Sequence, residues 1–196
     1  MEQNMKQPLF IPKGTPGYIQ NRKILTLCKT LIYFAVSLSL YFAGIKATGD
    51  NKNLLTIVAI LGCLPASKSA VNTIMFFRFQ GCPKETVKQL PGIQEYQQLY
   101  LLYDMVFTSY DKNFEIYQIA MNDKVLCGYA RKEKTDVAAC EEHLQQYLTQ
   151  NGIKEVTVKI FQDLTKYRNR LEQLNALSEL GDKAGEIRTL MLEISL

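Results

Sequence analysis

The chain has 196 residues and a formal net charge of +4, which allows one ordinary domain or a small domain with a membrane anchor. Residues 1–92 carry eleven Lys/Arg against three acidic residues, whereas residues 93–196 carry twelve against sixteen. A nucleic-acid-binding domain concentrates positive charge on itself, so this distribution argues against a nucleic-acid partner. Positive charge beside apolar runs instead favours the anionic inner-leaflet headgroups of a lipid bilayer as a partner.

Two long apolar runs, Ile24–Ile45 and Leu54–Phe77, follow an N-terminal tail of residues 1–23. Each is long enough to cross the roughly 30 Å core of a bilayer as a helix. The polar residues Lys46–Asn53 between them are typical of a tight loop. A cleaved signal peptide is disfavoured, because no A-x-A site follows the first run and a second run comes at once. We therefore predict a transmembrane helical hairpin over residues 24–79.

Flanking positive charges set the predicted orientation. Basic residues are concentrated before the first run and after the second, whereas the loop has two lysines offset by Asp50. This pattern predicts a multi-pass protein of the cell membrane with both termini cytoplasmic. The flanking residues are Lys6, Lys13, Arg22, Lys23, Arg78, Lys84 and Lys88.

Two lysines interrupt the apolar runs, Lys29 in the first and Lys68 in the second. Both are expected a few residues from the cytoplasmic edge of the bilayer, where a lysine can extend to the headgroups. With Arg78 they are predicted to form a basic collar at the membrane interface. The alternative is a charged ion or substrate path, but neither run contains an acidic partner.

Small residues recur every fourth position in both runs. Such spacing lets helix backbones approach closely, and the predicted use is packing within the hairpin, with joining of two chains as the alternative. The residues are Ala35, Ser39 and Ala43 in the first run, and Gly62, Ala66 and Ala70 in the second.

Residues 94–110, which follow a juxtamembrane linker of residues 80–93, carry aromatic and aliphatic side chains at spacings of three and four. This period predicts a helix whose aromatic face packs on a sheet, with stacking on a ligand ring as the alternative. Three tyrosines are candidate contacts for a protein partner: Tyr96, Tyr100 and Tyr103.

The rest of the chain alternates strand and helix patterns. Two runs separated by Asn122-Asp123 predict a β-hairpin, and later segments predict a helix, a strand, a helix and a final strand. The fold class is therefore an α/β (α+β) cytosolic domain over residues 94–196, with a small mixed β-sheet covered mainly on one face. The segments are Phe114–Met121, Lys124–Arg131, 136–150, Lys154–Phe161, 163–180 and Arg188–Leu196.

The α-β-β-α-β order is loosely similar to that of restriction-endonuclease-like domains, which implies a metal-dependent nuclease. Such a site needs an acid on one strand and an acid-x-Lys pair on the next, to hold Mg²⁺ and polarise water. The only acid-x-Lys is Asp50-Asn51-Lys52, in the predicted outer loop. The single histidine, His143, stands three positions after Cys140 on a predicted helix and is expected on a solvated face.

The five cysteines are odd in number and lack CxxC spacing, which argues against disulfides and a zinc site. No catalytic, cofactor-binding or metal-ligating residue is predicted. The sequence predicts a non-enzymatic integral membrane protein whose cytosolic domain binds a protein partner or regulates a membrane assembly. The alternatives are a membrane-tethered, nuclease-like enzyme with an atypical site, and a small pore or transporter subunit built as a homo-oligomer.

Overall fold

The computed structural model describes residues 10–50, 52–92, 95–130, 135–177 and 181–196. The chain divides into a helical unit over Ile19–Gln80 and an α+β unit formed by Met1–Tyr18 together with Gly81–Leu196. Parts of the predicted elements at residues 1–9, 94, 131 and 178–180 lie outside the described residues.

Both apolar runs are helical. Helix α1 spans Tyr18–Thr48 and helix α2 spans Leu54–Arg78. The side chain of Asn53 caps α2, because its Oδ1 accepts a hydrogen bond from Thr56 N at 2.8 Å. Both helices are long and apolar enough that they could span a membrane, although Pro65 lies inside α2.

The α+β unit contains a four-stranded mixed sheet with the order β1-β2-β3-β4. The first three strands pair antiparallel, and β4 lies parallel to β3 after the crossover helix α4, Val137–Gln150. The predicted β-hairpin, here formed by β2 and β3, and the predicted mixed sheet are confirmed. The strands are β1 Tyr100–Thr108, β2 Asn113–Met121, β3 Val125–Ala130 and β4 Thr157–Phe161.

Both faces of the sheet are covered, so the prediction of helices mainly on one face is wrong. Helices α4 and α6 (Asp182–Ile194) pack on one face through a first core that includes Leu144, Leu148 and Ile187. Helix α5 (Leu164–Leu177) and the short α3 (Lys84–Gln89) pack on the other face through a second core.

The predicted helix over residues 94–110 is wrong, because this segment forms strand β1. Seven consecutive residues of β1, Leu101–Phe107, are buried, so the strand has no polar face to impose an alternating pattern. Its apolar run therefore matched a helical period by chance. The described strands and α4 follow the order β-β-β-α-β, so one more strand precedes the crossover helix than the sequence predicted.

The predicted final strand, Arg188–Leu196, is also wrong, since Asp182–Ile194 form helix α6. Its buried residues Ala184, Ile187, Leu190 and Met191 follow a helical spacing that begins before the predicted strand. The side chain of Asp123, in the β2–β3 turn, caps the helix by accepting a hydrogen bond from Ala184 N at 2.7 Å.

Candidate functional site

A buried carboxylate lies in the middle of β1. Asp104 is 4% exposed, and its two oxygens accept backbone hydrogen bonds from different parts of the chain. Gly17 N donates to Oδ2 at 2.6 Å and Cys82 N donates to Oδ1 at 2.7 Å. Gly17 immediately precedes α1, and Cys82 follows α2 by four residues, so one side chain holds both flanks of the helical segment.

The backbone at Asp104 is unusual in a way that explains how its side chain is aimed. Its φ is +51°, in the left-handed region that Asp tolerates better than most residues. The alternation of the strand reverses there: Leu101 and Tyr103 lie in the second core, whereas Leu102 and Met105 lie in the first. The pairing of β2 with β3 is also irregular between Ile116 and Gln118, directly beside this point.

Burial raises the pKa of the Asp104 carboxyl above its ordinary value, and the nearby charge of Glu115 adds to the rise. Hydrogen bonds from the backbone N–H groups of Cys82, Gly17 and Tyr18 oppose it. Burial also raises the pKa of the Cys82 thiol to about 12, with Asp104 contributing. A thiol in that state is a poor nucleophile, and the bond between the two residues runs from the Cys82 backbone to the Asp104 carboxylate, where it fixes the chain.

Within the helical unit, α1 and α2 contact each other through hydroxyl groups. The Thr30 hydroxyl lies 2.8 Å from that of Ser69 and 3.0 Å from that of Thr73, and all three side chains are buried. Thr30 and Thr73 also donate to carbonyls of their own helices, those of Thr26 and Ser69. With those two protons used within their own helices, the Ser69 hydroxyl is the donor that crosses to Thr30 Oγ1, and this bond joins the two helices.

The small residues predicted to pack the helices are not all at this contact. Ala66 is fully buried, and Gly62 and Ala70 are half-buried, but Ala35, Ser39 and Ala43 are exposed. The α1 side of the contact instead uses Thr30, Ser37 and Gly44, which recur every seven residues. A Cβ at Gly62 would lie 2.7 Å from Ser37 Oγ, and a Cβ at Gly44 would lie 3.0 Å from Leu55 Cβ.

The predicted basic collar is exposed. Lys29, Lys68 and Arg78 all lie on outward faces of α1 and α2. The Lys29 ammonium lies 5.6 Å from the centre of the Tyr33 ring, one turn further along its own helix. Since neither helix contains an acidic residue, outward exposure favours extension toward a polar interface over a path between the helices.

The three tyrosines proposed as partner contacts do not share a surface. Tyr96 and Tyr103 are buried in the second core, and the Tyr103 hydroxyl donates to Pro91 O at 2.8 Å. Tyr100 packs beside the first core, with the Arg188 guanidinium 5.8 Å from its ring centre. The side chains of Tyr96 and Tyr103 therefore pack inside the fold and do not lie on its surface.

One surface hollow of about 220 Å³ brings together Ser109, Asp111 and His143, the residue types of a hydrolase triad. No hydrogen bond joins these side chains, and the His143 ring packs against Tyr147 at 4.9 Å and Phe114 at 5.5 Å. A nucleophile needs a base within hydrogen-bonding reach, so the hollow lacks the essential contact. Within the described residues, no group of three or more His, Cys, Asp or Glu side chains is placed to hold a metal ion.

Comparisons of the chain with protein-family models, with curated proteins and with solved structures found no match. Any assignment of this chain to a class of protein therefore depends on its two units and on the chemistry of their surfaces.

Sequence reasoning missed Asp104, although a signal was present. An acidic residue interrupts the apolar run YLLYDMVF, and a charge buried on both faces of a strand needs several hydrogen-bond partners. This signal applies only when the run is a strand with both faces buried, whereas its spacing predicted a helix. Its donors, Gly17 and Cys82, are 87 and 22 residues away, and no local pattern indicates such a contact.

Proposed function

We propose that this chain is an integral membrane protein whose helices α1 and α2 form a transmembrane hairpin. Exposed apolar side chains carry the proposal. Of the twenty large apolar side chains that are exposed in the described residues, eighteen lie on α1 and α2. Exposure to water costs about 25 cal/mol per Å² of apolar surface, a cost that a bilayer removes.

The low burial of these helices distinguishes them from core helices of water-soluble proteins. In the most apolar 18-residue window of each helix, 11% of α1 and 17% of α2 are buried. At about 1.5 Å per residue, helices of 31 and 25 residues exceed the roughly 30 Å thickness of the hydrocarbon.

The α+β unit and both termini are placed on the cytoplasmic side in this proposal. The support is the concentration of Lys and Arg at the two outer ends of the hairpin. Lys84 and Lys88 on α3 are exposed shortly after α2, where they suit anionic headgroups of the inner leaflet.

The α+β unit is proposed to act as a non-enzymatic module that binds a protein partner or regulates a membrane assembly. Its two cores form a stable scaffold, and its buried carboxylate and thiols are used in packing. The partner in this role is either a different protein or a second copy of the same chain.

Membrane insertion is tested with a charge on the outward apolar face. Leu64, near the middle of α2, is 68% exposed. Leu64→Glu should sharply lower membrane-integrated protein, measured as the fraction that resists alkaline carbonate extraction. The control is Gln145→Glu on α4, beside an open surface hollow, which should change nothing. If both variants accumulate equally in a carbonate-soluble fraction, the hairpin proposal fails.

Partner binding is tested by site-specific photo-crosslinking in cells. A photoreactive residue replaces Tyr110, which is fully exposed, and in separate experiments Glu142 or Glu186. An adduct of defined mass at some of these positions, but not at Lys52 in the interhelical loop, is expected. Normal protein abundance with no adduct at any of the three would contradict a partner-binding role.

A further inference from the structure

The chain leaves the α+β unit after Tyr18 and re-enters it at Gly81. We call residues 14–18 and 81–83 the two crossing segments. Both are bound by the same carboxylate, since Gly17 N and Cys82 N donate to different oxygens of Asp104. Loss of this one side chain would therefore remove a bond from each crossing at the same time.

The first crossing also binds the backbone of β1 beside Asp104. Tyr103 N donates to Gly14 O at 2.8 Å, and Gly14 has a φ of +82°. A Cβ at Gly14 would lie 2.7 Å from Leu102 Cδ2, which would have to shift, and the positive φ by itself favours glycine at this position. The N-terminal segment therefore contacts three consecutive residues of β1, namely Leu102, Tyr103 and Asp104, and the last of these has the strained backbone.

We propose that Asp104 is a latch that makes the two crossing segments open and close as one unit. Displacement of the first segment withdraws the Gly17 and Tyr18 donors, and displacement of the second withdraws the Cys82 donor. Either loss leaves the buried carboxylate under-bonded and weakens its bond to the other segment. The strained backbone of Asp104 persists because both segments hold it, so their release also reaches β1. The latch lies wholly within the α+β unit, so it does not depend on where α1 and α2 reside.

The native cysteines provide the readout. Cys82 lies in the second crossing and is buried, while Cys127 and Cys140 are buried elsewhere in the same unit. Asp104→Asn keeps the shape and tolerates the positive φ, but replaces one acceptor oxygen with an N–H donor. Alkylation of Cys82 in the full-length protein in micelles should accelerate about tenfold or more, with Cys127 and Cys140 unchanged.

A second variant carries its substitution in the first crossing. Gly14→Ala should also accelerate alkylation of Cys82, although the substitution is 68 residues away from it in sequence. The matched control is Gly152→Ala, which alters a left-handed glycine in the same unit, with φ +76° and open space around it. That control should leave the Cys82 rate unchanged.

Amide exchange of the wild-type protein tests the latch without any substitution. The Gly17 and Cys82 amides should open with similar protection factors, within about threefold, because one event exposes both. Protection factors that differ more than tenfold would overturn the proposal. So would an unchanged Cys82 rate in Asp104→Asn or Gly14→Ala, or a rise shared equally by Cys127 and Cys140 in both variants.

Discussion

The side chains of Tyr103 and Gln118 donate hydrogen bonds to the same carbonyl oxygen, that of Pro91, each at 2.8 Å. Tyr103 lies on β1 and Gln118 lies opposite it on β2. Pro91 belongs to the segment that follows α3, so this shared acceptor fixes that segment over the sheet. Both donors are buried, and a carbonyl with two lone pairs satisfies both.

Tyr103→Phe removes one of these bonds without removing the ring. We expect a loss of about 1 kcal/mol in the free energy of unfolding, measured by denaturant titration with near-ultraviolet circular dichroism. Tyr167→Phe is the control, because the Tyr167 hydroxyl is buried and has no hydrogen-bond partner among the described residues. That variant should be neutral or more stable, and equal destabilisation by both would contradict this account.

The hydroxyl cluster between α1 and α2 gives a second prediction. Thr30→Val is nearly isosteric and removes the hydroxyl that contacts both Ser69 and Thr73. It should destabilise the helix pair by about 1 kcal/mol in detergent unfolding followed by an interhelical fluorescence pair. Ser39→Ala removes an exposed hydroxyl bonded only to its own helix, at Ala35 O, and should have no effect. An equal effect of the two would show that the cluster does not join the helices.

Ala66 and Ala35 form a matched pair for helix packing, since the first is fully buried and the second exposed. Ala66→Leu should destabilise the monomer in detergent by about 1–3 kcal/mol, because the added atoms overpack the contact. Ala35→Leu should leave it unchanged. If Ala66→Leu leaves a well-folded monomer and abolishes a crosslinked dimer instead, this face of α2 joins chains.

Lys68 is exposed on α2, and its predicted role is extension to the headgroups. Lys68→Arg should be tolerated, and Lys68→Leu should insert into membranes at least as well as the wild type. Abundance and carbonate-resistant insertion are the measurements. Loss of a later-defined activity in Lys68→Leu, at normal abundance and insertion, would support a charged pathway.

His143 is the only histidine, so its ring protons give an unambiguous nuclear magnetic resonance titration. Burial lowers its pKa, so the midpoint should fall below 6.5. Because the unfolded chain then binds the proton more readily, stability should decline as the pH falls from 6.5 through the folded pKa. His143→Gln should remove that part of the pH dependence. A midpoint at or above 6.5 would contradict the observed packing of the ring.

Much of the fold could be predicted because several segments carry one strong local signal. The apolar runs of α1 and α2 are longer than any other, Asp136 is a residue type that caps a helix such as α4, and the residues of β4 alternate between faces. The prediction for β1 is wrong because the strand is buried on both faces, and the prediction for α6 is wrong because its helical spacing begins at Ala184, before the predicted strand. The α1 contact was missed because its small residues recur every seventh position rather than every fourth.

The candidate site could not be predicted, because Asp104 derives its role from two segments distant in sequence. Cys82 is a poor reporter of membrane topology, although the predicted orientation places it in the cytoplasm. It is buried, so it would resist a thiol reagent from either side of a membrane.

We propose that α1 and α2 cross a bilayer with the α+β unit inside the cell. The most direct measurement is labelling with a membrane-impermeant thiol reagent, in a background where the exposed Cys28 and Cys63 are replaced by alanine. Lys52→Cys reports on the interhelical loop and Tyr110→Cys on the α+β unit, and both positions are exposed. We predict that Lys52→Cys is labelled in intact cells and that Tyr110→Cys is labelled only after the cells are opened. Labelling of Tyr110→Cys in intact cells, or protection of both sites until the cells are opened, would contradict the account.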